Sequence, residues 1–335
     1  MITEHDLKNY RSKTLTEITL SVMTLLLASF AARAQTAWPA KAIRVIVPFP
    51  AGGTSDILAR LVGQKLTEAW GQQIVVDARA GATGTIGTDL VVRAPADGYT
   101  LLLTDLGNLI IAPMTLTKVP YDPLRDLAPV ATVSYSPHLL VVHPSVPVKT
   151  VAELVALAKK NPGKLNAPAA LSSAPHLAGL MVQNRMGVKW TTIPTKGGAH
   201  SMLTLATGEG DLMFLGMLQT LAHVRTGRAR VIAITSDKRD PALPNTPTVA
   251  ETPGLEGFHT GSWQGMLGPA KLPADIINKV SAEVRRALTM PDVREKLASQ
   301  GTEPLIMTPQ ETGKWLASEK DRWAKVVKDS GLKVE

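Results

Sequence analysis

The sequence predicts an α/β fold, a parallel or mixed sheet with helices on both faces, divided into two domains. Three observations predict it. Apolar runs of strand length alternate with 10–17-residue segments of helical period through the middle of the chain. Glycine-bearing turns stand where strand-like runs pass into helices, as they do in α/β sheets. The 301 residues after position 34 exceed what one core usually serves.

The first 34 residues are an address and not part of the fold. Lys8, Arg11 and Lys13 form a basic leader, "ITLSVMTLLLASF" (18–30) an apolar run, and Ala32-Arg33-Ala34 a small-x-small cleavage site with Gln35 as the mature start. The run is too short to cross a ~30 Å hydrocarbon core. A secretory signal peptide is therefore expected, with a soluble, exported mature chain.

The strand-like runs that follow are IRVIV (43–47), QIVVD (73–77), YTLLL (99–103), HLLVV (138–142), KWTTI (189–193), DLMFL (211–215), RVIAI (230–234) and QGMLG (264–268). Over 54–70 the apolar positions Ile57, Leu58, Leu61, Val62, Leu66, Ala69 and Trp70 share one helical face, and Gly71 is a stop signal. Thr150 with Glu153, and Thr308 with Pro309 and Glu311, announce two further helices by capping boxes. From Pro273 the chain is nearly all helix: 273–289, 292–299 and 309–329. No flexible tether is visible, so domain crossings are placed in the extended segments near "SPHLLVVHP" and "GSWQGMLGP". The expected division is 1–34 signal peptide, 35–137 with 261–335 as domain 1, and 138–260 as domain 2.

Composition narrows the function. Cysteine is absent, which excludes disulfides, thiol catalysis and Cys-ligated metal. Removal of residues 1–34 takes away Lys8, Arg11, Lys13 and Arg33 with Glu4, Asp6 and Glu17, so the formal charge moves only from +8 to +7. A basic surface favours anions. Nucleic acid is not expected: Lys and Arg are scattered, and six Trp, four Tyr and four Phe supply no stacking platform. The seven histidines form no H-E-x-x-H or i, i+4 pair, so no metal is expected.

The turn "PFPAGGTSD" (48–56) is the leading candidate site. Gly52 and Gly53 let the backbone bring N–H groups against a ligand, and Thr54, Ser55 and Asp56 can cap the helix behind them. Such a helix start suits a carboxylate or phosphate, and equally a capped turn with no ligand. It is neither a Walker loop nor a nucleophile elbow. "AGATGTIG" (80–87) lacks the dinucleotide spacing and is read as a second glycine turn beside the same crevice. In "IPTKGGAH" (193–200), Lys196 either neutralises an anion or is solvated. His176, in "SSAPHLAG", either faces the cleft or is a hydrogen-bonded structural residue. No catalytic constellation can be assembled.

Taken together, "IRVIVPFPAGGTSDILAR", "GATGTIG", "APADGYTLLL", "PYDPLRDLAPV", "LLVVHPSVPVKTVAELVALAKKNPGKLN", "DPALPNTPTVAET", "SWQGMLGPAKLP" and "DRWAKVVKDSGLK" resemble the Bug-type solute-binding proteins of tripartite tricarboxylate transporters, over essentially the whole mature length. The resemblance implies a type II periplasmic-binding-protein fold: two α/β domains joined by crossing segments, closing on a small carboxylate. It implies no cofactor, no catalysis, a monomer, and delivery to the membrane permease subunits of a tripartite transporter. Matched residue by residue, it puts Phe49, Ala51, Gly52, Thr54, Ser55 and Asp56 on one wall, bordered by Gly84 and Thr85. The other wall takes Ser172, Ser173, Ala174 and His176, then Thr195, Lys196 and Gly197.

Three departures fall on the second domain. "NAPAALSSAPH" is one residue shorter than the N-Y-x-S-x-G-x-G-S-x-x-H of the family and lacks its glycines. Pro194-Thr195-Lys196-Gly197 stands for P-Y-[KR]-G, and Leu215-Gly216 stands where an Asp is common. The expectation is that carboxylate capture by domain 1 is kept while the distal pocket is altered and roomier. Two other classes are weighed: a secreted enzyme using a pair such as Ser173 with His176, and an orphan ligand sensor for a membrane kinase. A cytoplasmic nucleotide enzyme is opposed by the signal segment and the glycine spacing.

Overall fold

The computed structural model describes residues 38–299, 301–330 and 332. The signal segment and Gly331 lie outside them. The order is β1 (Ile43–Val47), α1 (Thr54–Trp70), β2 (Ile74–Ala78), α2 (Thr85–Val92), β3 (Thr100–Asp105), α3 (Leu106–Thr115), a single turn α4 (Pro123–Asp126) and β4 (Leu127–Val142). Then come α5 (Val151–Lys160), β5 (Asn166–Ala169), α6 (Ala174–Met186), β6 (Thr191–Pro194), α7 (Gly198–Ala206), β7 (Leu212–Gly216), α8 (Met217–Arg225) and β8 (Arg230–Ile234). The chain finishes with β9 (Gly261–Pro269), α9 (Ala274–Thr289), α10 (Pro291–Ala298), β10 (Glu303–Pro304) and α11 (Pro309–Ser330).

One eight-stranded mixed sheet follows the path β10-β4-β9-β3-β1-β2, with β7 and β8 also paired to β4; β5 and β6 form a separate parallel pair. β1 is parallel to β2 and β3, whereas β9 is antiparallel to both β3 and β4. β4 is the long member, 16 residues. Its first part pairs with β9 as far as Pro137↔Gly261, and from His138↔Gly216 its last part pairs with β7.

β4 begins well before the expected His138. Pro129 and Pro137 break up the hydrophobic signal of 127–137; a register shift between Pro129 and Ala131 accommodates the first, and Pro137 pairs in register with Gly261. β5, "NAPA", was likewise not foreseen, because four residues with a proline carry no period to read. The "KWTTI" strand starts two residues late, at Thr191.

The alternation of a strand sets the cores. At the end of β4, Leu140 and Val142 enter one cluster with Leu154, Trp190, Phe214 and Phe258. Leu139 and Val141 point to the other face and join Met202, Met213, Leu221 and Ile234. A third cluster gathers Ile46, Leu102, Leu109 and Ile111 with Trp263, with Leu316 and Trp323 of α11, and with Ala174 and Leu177 of α6.

The helix signals act locally. Gly71 takes φ +65° and its N–H returns to the Thr67 carbonyl, ending α1. Thr308 and Glu311 form a reciprocal box, the Glu311 N–H donating to Thr308 Oγ1 and the Thr308 N–H to Glu311 Oε2. At α5 only half of the box forms. Thr150 Oγ1 accepts from the Glu153 N–H, but Glu153 Oε2 accepts from Lys149 and not from Thr150.

Candidate functional site

Five helix starts meet around one cleft of about 710 Å³ of unfilled space, open to solvent. They are Gly53 before α1, Asp105 before α3, Ser173 before α6, Gly197 before α7 and Gly216 before α8. Each follows the carboxyl end of a strand or a glycine turn, which is why an alternating chain brings them together. Apolar surface from Phe49, Pro50, Pro175, Phe214 and Leu215 fills the space between them.

The starts divide into two kinds. Asp105 and Ser173 cap their own helices, accepting from the Asn108 and His176 N–H groups. The three glycine starts have no side-chain cap. Gly53 (φ −75°, ψ 167°) and Gly216 (φ −59°, ψ 145°) hold backbone that any residue adopts. What glycine supplies there is the missing side chain, which leaves first-turn N–H groups facing the cleft, although at α8 the Met217 N–H already donates to Ser136 Oγ. Each such terminus carries about half a positive charge, worth roughly 0.3–1 kcal/mol to an anion and up to ~2 when partly buried. Closeness matters at α7: a Cβ on Gly197 would lie 3.1 Å from Pro50 Cδ, and one on Gly198 would lie 2.5 Å from Gln219 Oε1.

A polar chain runs beneath the cleft. Ser55 Oγ donates to Gln264 Oε1 at 2.7 Å, and Gln264 Nε2 donates to Asp105 Oδ2 at 3.0 Å. Asp105 also accepts from the Asn108 N–H group, and Ser262 of β9 lies beside it on the floor of the cleft. Ser262 Oγ lies 3.1 Å from His138 Nε2, whose Nδ1 is 3.0 Å from Thr260 Oγ1. Burial drives His138 down to about 3, so it is neutral. Burial also pushes Asp105 up, to about 6, against the pull of its donors. Among the described residues lining the cleft, Asp105 is the only ionisable one.

Of the residues named from sequence, Phe49, Thr54, Ser55, Ser173 and Gly197 line this cleft; Ala51, Gly52, Asp56, Gly84, Thr85, Ser172, Ala174, His176, Thr195 and Lys196 do not. Asp56 is occupied by Arg60 and by the Gly52 N–H, which folds the PAGG turn on itself. Gly84 (φ +90°) backs the Phe49 ring, and Thr85 donates to the Ala82 carbonyl. Ser172 (φ +60°) accepts from Thr115 Oγ1 at 2.7 Å, and Ala174 is buried against Gly107. Thr195 bonds Ser201 at 2.6 Å, and the Lys196 side chain is exposed.

His176 is buried and turned into a smaller hollow with Gln183 and Trp190. Burial holds it neutral, down to about 4, and its Nδ1 has no partner. Ser173 Oγ donates to the Ala170 carbonyl at 2.6 Å and meets His176 only through the backbone N–H, so the two are not joined as nucleophile and base. Sequence reasoning missed Asp105, Ser262 and Gln264. A signal existed: "TDLGN" places an N-cap Asp at the carboxyl end of a strand, and "GSWQG" puts Ser and Gln on alternate positions of a buried strand.

A hollow walled by helix starts, apolar between them and with no Lys or Arg among its described lining residues, has the form of a site for a small solute. The tripartite tricarboxylate transporter family receptor, TctC, matches residues 58–332. Protein BugT of Bordetella pertussis is 37% identical over 300 residues, 89% of this chain and 92% of that protein. Among solved structures, R. palustris Rpa4515 with adipate superposes with TM-score 0.86 at 34% identity, covering 88% of this chain and 99% of that one. MatC from Rhodopseudomonas palustris with bound malate gives 0.81 at 31% identity, covering 87% and 100%. The chain belongs to the tripartite tricarboxylate transporter receptor family, the Bug-type solute-binding proteins, and has their periplasmic-binding-protein fold. No helix among the described residues is long and apolar enough to cross a membrane.

Proposed function

We propose that this protein is exported, loses its signal peptide near Ala34/Gln35, and captures a small organic carboxylate for the permease subunits of a tripartite transporter, as a monomer and without catalysing a reaction. One observation carries the reading: three glycine-capped helix starts, at Gly53, Gly197 and Gly216, face a single cleft with no Lys or Arg to hold an anion instead. A carboxylate there accepts from backbone N–H groups, with the Thr54 hydroxyl beside it. The adipate and malate bound by the two R. palustris proteins support this ligand class. Residues up to 137 with those from 261 onward act as one lobe and 138–260 as the other. The change of β4's partner between Pro137 and His138 supports a hinge at that point.

Thermal unfolding of residues 35–335 with aliphatic dicarboxylates, tricarboxylates, hydroxy acids, acidic amino acids and aromatic acids tests this. A ligand at 100 times its Kd adds about 2.7 kcal/mol. Gly53→Asp places a carboxylate at the same N–H groups. It is expected to unfold cooperatively but to lose the ligand-induced rise. A rise that survives the substitution refutes capture at this terminus.

A further inference from the structure

Beneath the cleft, the hydrogens of Ser55 and Gln264 run toward one acceptor. Ser55 gives its proton to Gln264 Oε1, and Gln264 gives an amide proton to Asp105. Behind the floor, Ser262 Oγ and Thr260 Oγ1 hold the two ring nitrogens of His138. Ser173 spends its proton on the Ala170 carbonyl. The Ser55–Gln264–Asp105 part of the floor therefore shows lone pairs to the cleft, while Thr54, Gln219 and the glycine helix starts around it supply donors. Building on carboxylate capture at those starts, we infer that Asp105 is a positioning residue that makes the floor an acceptor surface, so that the protein selects an acid bearing a hydroxyl or other hydrogen-bond donor and disfavours a fully ionised dicarboxylate.

The electrostatics point the same way. The elements around Asp105 supply Gly107 and Asn108 from α3, Ser262 and Gln264 from β9, Ser55 through Gln264 from α1, and Ala174 from α6 beside Gly107. None carries a charge. The nearby titratable groups, His138 behind Ser262 and His176 two residues beyond Ala174, are neutral above pH 6. A second carboxylate on the floor would meet ionised Asp105 and the lone pairs of Ser55, with no cation between. Asp105→Asn reverses the chain. Asn donates to Gln264, the Gln264 amide turns over, and the Ser55 proton is released toward the ligand.

Calorimetric titration of residues 35–335 with matched acids tests this: succinate against 4-hydroxybutanoate, glutarate against 5-hydroxypentanoate, and adipate against 6-hydroxyhexanoate. At pH 8 the wild type is expected to bind the best-fitting hydroxy acid at least tenfold more tightly than its dicarboxylate partner. D105N is expected to abolish or invert that preference. Dicarboxylate binding that needs protonated Asp105 strengthens about 50-fold between pH 8 and pH 6 in the wild type, beyond any change in D105N, since the carboxyl titrates near 6. Ser55→Ala, which leaves Asp105 in place, is expected to weaken the hydroxy acid selectively. A wild type that prefers the dicarboxylate, or a ratio unchanged in D105N, overturns the inference while leaving carboxylate capture intact. Failure of every acid to bind either protein overturns the capture reading and this inference with it.

Discussion

Asp105 is a cost to the ligand-free fold, and the cost depends on pH. Its carboxyl is raised from 3.8 to about 6 because burial outweighs the hydrogen bonds that would hold it ionised. The folded state holds the proton more tightly than the unfolded chain, so the favourable balance present below pH 4 is lost as pH rises through 6. A shift of that size amounts to about 3 kcal/mol at pH 8, of which about 1.4 kcal/mol develops between pH 5 and pH 8. Asp105→Asn removes the titration and keeps the cap, since Asn serves as well as Asp at a helix start. Urea unfolding of both proteins, free of ligand, is the assay. The stability of the wild type relative to D105N is expected to fall by about 1.4 kcal/mol from pH 5 to pH 8. Parallel pH profiles would refute the reasoning, because Asp105 would then titrate as an ordinary exposed carboxylate and could not act as the acceptor at the end of the Ser55–Gln264 chain.

Two further predictions concern the frame around the site. Trp323 is fully buried where α11 meets the cluster of Ile46, Leu102 and Trp263, so Trp323→Ala is expected to cost about 3–5 kcal/mol in urea unfolding; a loss below about 1 kcal/mol would place the indole outside that core. A Cβ on Gly87 would lie 2.8 Å from both the Arg79 carbonyl oxygen and Pro48 Cα, which are backbone and cannot swing aside. Gly87→Ala is expected to cost about 1–3 kcal/mol and to reduce the ligand-induced melting shift by displacing Phe49; full stability would show that α2 can slide on the 48–50 turn.

Much of the site was legible as a set of places and little of it as a set of contacts. The glycine turns at 52–53 and 197–198 announce helix starts because glycine before a polar, cap-forming run has a local meaning. Lys196 and His176 look equally suited to a ligand in sequence, yet one is solvated and the other is turned into a second hollow. Which way a side chain at a helix start faces depends on what packs against that helix, and no local pattern records it. Asp56 makes the same point: it sits within the leading motif but is consumed by Arg60 and the Gly52 N–H.

By itself the sequence determined the α/β alternation, the places of eight of the ten strands, the helix over 54–70 and the helical C-terminal third, the Thr308 capping box, the export signal as an expectation, and the family resemblance. These rest on interactions within a few residues or on periodicity along one element, and both are written in the order of the chain. Only the tertiary structure decided that β4 continues through Pro129 and Pro137, and that a carboxylate at the end of β3 accepts the Ser55–Gln264 chain on the floor of the cleft. Ser55, Asp105, His138, Ser262 and Gln264 come from α1, β3, β4 and β9. The direction of each hydrogen bond among them is set by which groups meet after folding, and by how much water is left around Asp105 when they do.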